Sequence, residues 1–273
     1  MTNHAKRILT VVIGVPLLIA VICFSPAWVF TIVILFAALL SLNEFYSMTS
    51  PDATQLIVFV NYLSTAGLFC SLLVKGLFYI AIIPLFIILP LALFMARYRM
   101  RPPTIDEIGR ILMGPFYICL PLMLLVVIFG IPRGQWWVLF ILSVIFSGDT
   151  GSFYVGRSWG KHKLSRTSPG KTWEGAIGGL LSNIAAAVIF RYLFFPSLSI
   201  ISVVVLAIGL GISGQIGDLA ESMLKRISKV KDSGRVLPGH GGMLDRIDSL
   251  LFSIPILYLY LNYAGLVGSC VSL

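Results

Sequence analysis

"LSIISVVVLAIGLGISGQIGDLA", residues 198–220, holds a single charged side chain, Asp218. It is long enough to cross about 30 Å of hydrocarbon as a helix, which takes about 20 residues. The whole chain has the same character: 58% of its 273 residues are hydrophobic and the mean hydropathy is +0.97. Soluble domains are usually about 45–50% apolar. A bilayer core offers no water to backbone N–H and C=O groups, so such stretches must satisfy them internally as helices. Nine segments qualify, at 8–25, 27–46, 55–74, 77–97, 112–130, 136–156, 174–195, 198–220 and 249–270. The expected fold is an all-α polytopic integral membrane protein with about nine transmembrane helices.

Lys6 and Arg7 precede the first segment, as in a secretory signal. Its apolar run exceeds the usual length of about 7–15 residues, and no small-x-small cleavage site follows, so a retained helix is expected. Seventeen of the 20 basic residues fall in segments that share one side when the N-terminus is cytoplasmic; only Lys75, Arg133 and Arg191 fall on the other. The positive-inside rule then gives N-terminus in, C-terminus out. The same bias accounts for the net charge of +9 without nucleic acid as a partner, and it favours anionic headgroups. Cys23, Cys70, Cys119 and Cys270 stand singly with no CxxC spacing, which speaks against a disulfide framework or zinc site.

Acidic residues are unevenly spread. Glu44, Asp52, Asp106 and Glu107 are the only four before residue 135, whereas Asp149, Glu174, Asp218, Glu221, Asp232, Asp245 and Asp248 follow it. This divides the chain into a transmembrane scaffold, 1–135, and a catalytic region, 136–273, with hydrophilic loops at 157–173 and 221–248. No internal repeat of the kind that builds many transporters is found. Charged side chains near a bilayer usually face a cavity, a partner or an ion, and seven carboxylates gathered on one side point to a site.

Three stretches supply its parts. In "SGDTGSFYVGR", 147–157, Asp149 is flanked by Gly148 and Gly151, which allow close approach. In "GKHKLSRTSPGKTWEG", 160–175, the run from Ser165 to Thr172 nearly fits GxxxxGK[ST], but Ser165 replaces its first glycine and no βαβ unit surrounds it. What survives is Ser168-Pro169-Gly170-Lys171-Thr172 leading into a helix, whose free N–H groups and positive dipole end favour phosphate, with Lys171 adding a full charge.

In the third stretch, 209–249, Asp218, Glu221, Ser222 and Lys225 share one helix face if the helix runs through Lys225. After a bend at Pro238-Gly239 come His240-Gly241-Gly242 and a new helix with Asp245, Asp248 and Ser249 on one face. Carboxylates so placed suit Mg²⁺, which usually binds through one or two of them plus phosphates and water. A lone His beside two glycines more often contacts phosphate or structure than acts in acid–base catalysis.

The run Ser222-Met223-Leu224-Lys225-Arg226, then Lys231-Asp232, then Leu237-Pro238-Gly239-His240-Gly241-Gly242-Met243-Leu244-Asp245-Arg246-Ile247-Asp248 closely resembles the diagnostic motif of phosphatidate cytidylyltransferases, or CDP-diacylglycerol synthases. The Ser168–Gly175 loop and "GDTGSFYVGR" are similar to that family's segments, in the same order. The resemblance is strong over about 145–250. It implies synthesis of CDP-diacylglycerol and pyrophosphate from CTP and phosphatidic acid, with Mg²⁺ as cofactor, and leaves open whether a second cation joins it. It further implies residence in the bacterial cytoplasmic (inner) membrane with the site facing the cytoplasm. The implied partners are CTP, phosphatidic acid and membrane lipids; whether the chain forms a homodimer is left open.

On this reading Asp218, Asp245 and Asp248 hold metal, and with Lys225 form the catalytic set. Ser168, Lys171, Ser222, Arg226, Lys231, Asp232, His240, Gly241, Gly242 and Asp149 bind substrate. The reaction requires charge neutralisation and in-line positioning, because its nucleophile is already an ionised phosphate. A CTP-dependent polyprenol kinase is the nearest alternative; a CDP-alcohol phosphotransferase is excluded because Leu219 follows Asp218 where its DGxxAR pattern needs glycine. A transporter would explain intramembrane carboxylates but not the Lys-Arg-Lys-Asp spacing.

Overall fold

A computed structural model describes residues 3–74, 78–165, 167–234, 236 and 241–267. Among them there is no strand, and eleven α-helices account for most of the chain. These are α1 (Asn3–Phe24), α2 (Ala27–Thr49), α3 (Gln55–Leu73), α4 (Phe78–Ile82), α5 (Leu85–Arg97), α6 (Ile105–Gly114), α7 (Leu120–Gly130), α8 (Gly134–Trp159), α9 (Trp173–Phe194), α10 (Ile200–Ile227) and α11 (Leu244–Tyr263). A π-helical segment, Pro115–Cys119, joins α6 to α7, where Pro115 removes one backbone donor from the ladder.

The protein is therefore an all-α, polytopic membrane protein. Seven stretches among the described residues are long and apolar enough to cross a bilayer: Ala27–Thr49, Gln55–Leu73, Ile80–Arg97, Ile105–Gly130, Gly134–Trp159, Trp173–Phe194 and Ile200–Ile227. The expected first and last spans fall on α1 and α11. The latter opens with Asp245, Arg246 and Asp248, so its first turn is polar.

Start signals are local where the sequence supplies them. Thr104 caps α6 by accepting the Glu107 N–H at 3.1 Å, and Thr172 caps α9 by accepting that of Gly175 at 3.1 Å. Pro26 precedes α2, where a missing N–H costs nothing.

The chain forms two compact units, Met1–Val127 with Val230–Arg246, and Ile128–Lys229 with Ile247–Ser272. In the first, Phe30, Leu42, Phe45, Phe69, Phe86 and Ile111 are fully buried. A polar chain crosses that core: Asn61 Nδ2 donates to the Tyr46 hydroxyl at 2.9 Å, which donates to the Ile111 carbonyl at 2.9 Å. The Asn61 amide and the Tyr46 hydroxyl thereby place their donors, as a low-dielectric interior favours.

The second unit is α8, α9, α10 and most of α11, joined through small residues. Lipid tails are as apolar as leucine, so helices in a bilayer associate through close packing and hydrogen bonds. A Cβ on Gly148 would strike Asn183, one on Gly151 would strike Ser182, and one on Gly179 would strike Ser152, so α8 and α9 interlock with no room for a methyl. Gln215 Nε2 donates to the Ala176 carbonyl at 2.9 Å, tying α10 to α9, and Ser253 Oγ donates to the Leu210 carbonyl at 3.0 Å, tying α11 to α10. Stacked pairs Trp136–Phe194 and Trp137–Phe195 close one end.

Gly178→Ala would drive a methyl into Val155 Cβ, 2.5 Å away, an atom fixed to its own helix. We expect a lower unfolding midpoint in detergent, corresponding to about 1–3 kcal/mol. Gly109→Ala in α6 meets nothing within 4 Å and should instead be neutral or stabilising by up to about 1 kcal/mol.

Candidate functional site

Between α8 and α9 the chain folds back on itself rather than looping freely. Lys163 and Thr172 form an antiparallel bridge, Leu164 N donates to the Lys171 carbonyl at 2.9 Å, and Trp173 N donates to the His162 carbonyl at 2.9 Å. Glu174 closes the base. Its carboxylate accepts the Lys161 N–H at 3.1 Å and the His162 N–H at 3.3 Å, and it meets His162 Nδ1 at 2.6 Å. At the tip, Lys171 N donates to the Ser168 carbonyl at 3.1 Å, a turn suited to Pro169 and Gly170. Arg226 Nε reaches the Thr167 carbonyl at 3.3 Å, linking this loop to the end of α10.

The result is that Lys171 is delivered to Asp218 of α10, and the two form an ion pair. They border a cavity of about 260 Å³ with Asp149 and Phe153 of α8, Thr172 of the loop and Gln215 of α10. Asp248, buried at 9% exposure, lies within electrostatic range of Asp218, Asp149 and Lys225, and Asp149 lies within range of Asp218 and Lys171. α10 does run through Lys225, so Asp218, Glu221, Ser222 and Lys225 share a face. Lys225 is engaged there: it pairs with Glu221, which is completely buried. Such a carboxylate needs a cation at hand, since an unpaired buried charge is costly.

One expectation changes. The first N–H groups of α9 were to be open to phosphate, but the Trp173 N–H is taken by the His162 carbonyl and the Gly175 N–H by Thr172 Oγ1. A good N-cap residue and a closed loop use these donors internally, which leaves Lys171 as the loop's charged group.

In the first unit, Asp245 accepts the Gly242 N–H at 2.8 Å and the Ser233 N–H at 3.2 Å, while Lys231 and Asp232 are exposed. Gly241 has φ +82°, a conformation that favours glycine, and a Cβ there would approach Asp245 Oδ2 to 2.7 Å. His240 lies outside the described residues.

Thus Asp149, Lys171 and Asp218 line one cavity with Asp248 in range, Arg226 braces the loop, and Ser168 shapes its tip. Gln215 is a cavity residue that the sequence does not single out, although it precedes Asp218 by three residues and so shares its face. Thr172 and Glu174 lie in stretches the sequence does point to, but their roles as cap and loop clamp depend on how the loop closes.

Residues 5–264 match the model of the cytidylyltransferase family. The phosphatidate cytidylyltransferase of Bacillus subtilis is 41% identical over 160 residues, covering 58% of this chain and 60% of that protein. That of Staphylococcus haemolyticus is 45% identical over 129 residues, 47% of this chain and 50% of its own. That of Haemophilus influenzae is 41% identical over 128 residues, 45% and 44%. The chain spans about half the length of the curated relatives it matches. With a family model covering nearly its full length, this chain belongs to the cytidylyltransferase family.

Proposed function

We propose that this protein transfers the cytidylyl group of CTP to phosphatidic acid, giving CDP-diacylglycerol and pyrophosphate. A phosphate oxygen of the lipid forms a bond to the α-phosphorus of CTP, and the bond from that phosphorus to the β-phosphate bridge breaks. The observation that carries the reading is Lys171 held against Asp218 at a cavity also bordered by Asp149. Family membership and the names of the relatives support it.

The chemistry of the donor set fits the Mg²⁺ that the family resemblance implies. Asp149, Asp218 and Asp248 repel one another across shared space, which a cation would relieve. Among the described residues no three His, Cys, Asp or Glu side chains are grouped tightly enough to hold a metal by themselves, and Mg²⁺ usually takes only one or two carboxylates, completing its shell with phosphate and water. On this reading Asp218 and Asp248 hold the ion; Asp245 is the other carboxylate of the family motif. When bound, Mg²⁺ supplies charge neutralisation for the triphosphate.

The chain's own residues do the remaining work. Lys171 leaves Asp218 to bind a phosphate oxygen as a point charge. The Glu174–His162 clamp keeps that lysine at the cavity, and the Lys225–Glu221 pair keeps the α10 face neutral beside it. Phe153, exposed and at the cavity edge, is placed to meet the acyl part of the lipid substrate. Neither phosphate needs deprotonation, so positioning and electrostatics supply the rate.

The topology that suits this reaction has nine spans, the N-terminus in the cytoplasm and the site on the cytoplasmic side of the bacterial inner membrane. It is supported by the placement of seventeen of the 20 basic residues. CTP then arrives from water while phosphatidic acid keeps its tails in the bilayer.

Purified protein in detergent, given phosphatidic acid, labelled CTP and Mg²⁺, should form labelled CDP-lipid and pyrophosphate, and EDTA should abolish both. In the same assay Asp218→Asn and Lys171→Ala should each lose at least about a hundredfold in rate, as removal of electrostatic transition-state groups does. Phosphorylated lipid with CDP as the by-product would instead identify a kinase, and wild-type rates in both variants would sink the assigned site. Glu174→Ala should open the loop, read as faster trypsin cleavage at Lys161 and Lys163 and as a raised KM for CTP; unchanged cleavage would show that the clamp is dispensable.

A further inference from the structure

We propose that Glu44, on α2, is a positioning residue for the transfer reaction: it fixes where α11 begins and thereby holds Asp245. This rests on the function proposed above. Glu44 is only 3% exposed, near the C-terminal end of a segment otherwise apolar enough to span a membrane. Its Oε1 accepts the Met243 N–H at 2.9 Å; its Oε2 accepts the Leu244 N–H at 2.9 Å and the Ser233 hydroxyl at 3.2 Å.

Leu244 is the first residue of α11. A helix start normally takes its cap from Ser, Thr, Asp or Asn just before it, but the residues here are Gly241, Gly242 and Met243, none of which has a capping oxygen. The cap comes instead from a residue some two hundred positions earlier, and the positive end of the helix dipole meets a carboxylate. Because no residue just before Leu244 supplies a capping oxygen, Glu44 caps this helix start, with Asp245 of the first turn reaching back to the Gly242 N–H.

Asp245 completes the clamp from the other side, taking the Gly242 and Ser233 N–H groups. Two carboxylates therefore fasten both ends of the segment from Ser233 to Leu244. The glycines have a matching role: a Cβ on Gly242 would reach to 2.5 Å of Glu44 Oε2, and one on Gly234 would strike Oε1. A helix that started one residue earlier or later would turn its side chains by about 100° and shift them by about 1.5 Å. Asp245 would then point elsewhere, and Asp248 on the next turn with it.

The test uses the full-length protein in detergent. Glu44→Gln keeps the side-chain volume but places an amide NH₂ where only acceptors fit. We expect kcat for CDP-lipid formation to fall by about ten- to a hundredfold, the scale on which a small misplacement acts, with KM for CTP within about twofold of wild type. Hydrogen exchange should quicken at Met243 and Leu244 while α2 and α3 stay protected. Ser233→Ala removes one of the three donors and should show the same pattern more weakly; it decides the matter if Glu44→Gln does not fold.

Wild-type kcat in both variants would overturn the proposal, as would exchange that rises equally throughout α2 and α3. Exchange at Met243 and Leu244 unchanged in Glu44→Gln would overturn the clamp whatever the reaction is. A wild-type protein that forms no CDP-lipid would instead overturn the function proposed above, and the exchange measurement would still read the clamp by itself.

Discussion

Carboxylates next to hydrocarbon persist only where a cation or a set of N–H donors stands ready, and much of this molecule is arranged to meet that demand. Lys171 comes to Asp218 on a folded loop, Lys225 answers the fully buried Glu221 one turn away, and Glu44 finds its donors in Ser233, Met243 and Leu244. For Glu221 and Glu44, removing the partner would leave a buried charge uncompensated, which is far more damaging than the pairing is stabilising. The charged groups of the candidate site thus also hold their own loops and helix ends in place.

Close helix packing serves the same requirement. The loop can carry Lys171 to α10 only because α8 and α9 run against each other, and they do so through Gly148, Gly151, Gly178 and Gly179 with Ser152, Ser182 and Asn183 between them. Asn183 is wedged where Cβ atoms on Gly148 of α8 and Gly211 of α10 would otherwise sit, and it is almost wholly buried. A seam of this kind resists sliding, since any shift brings polar side chains against backbone with no lipid to fill the gap.

Sequence reading succeeded where physics is local. Length and hydropathy are enough for the seven stretches that can span a bilayer among the described residues, and the 3.6-residue period is enough to put Asp218, Glu221 and Lys225 on one face of α10. It fell short where the partner is distant in the chain. The sequence around Gly242-Met243 does not reveal that its cap is Glu44, nor that Val230–Arg246 groups with the N-terminal helices rather than with α10. The donors of α9 were misjudged for a related reason: whether a helix end is open depends on what folds over it, and His162 and Thr172 fold over this one.

In the proposed reaction the Lys171–Asp218 pair would make the site a logical conjunction. A phosphate that claimed Lys171 would strip Asp218 of its counter-charge and so draw a cation to the vacated carboxylate; a cation on Asp218 would conversely set Lys171 loose for a phosphate. Thermodynamic reciprocity requires each to strengthen the other by the same factor. Either ligand alone must break the pair unaided and is held weakly, whereas the two arriving together replace one attraction with two. In the proposed reaction, a membrane surface crowded with lone phosphates and lone cations would therefore be a poor competitor for the nucleotide and its ion.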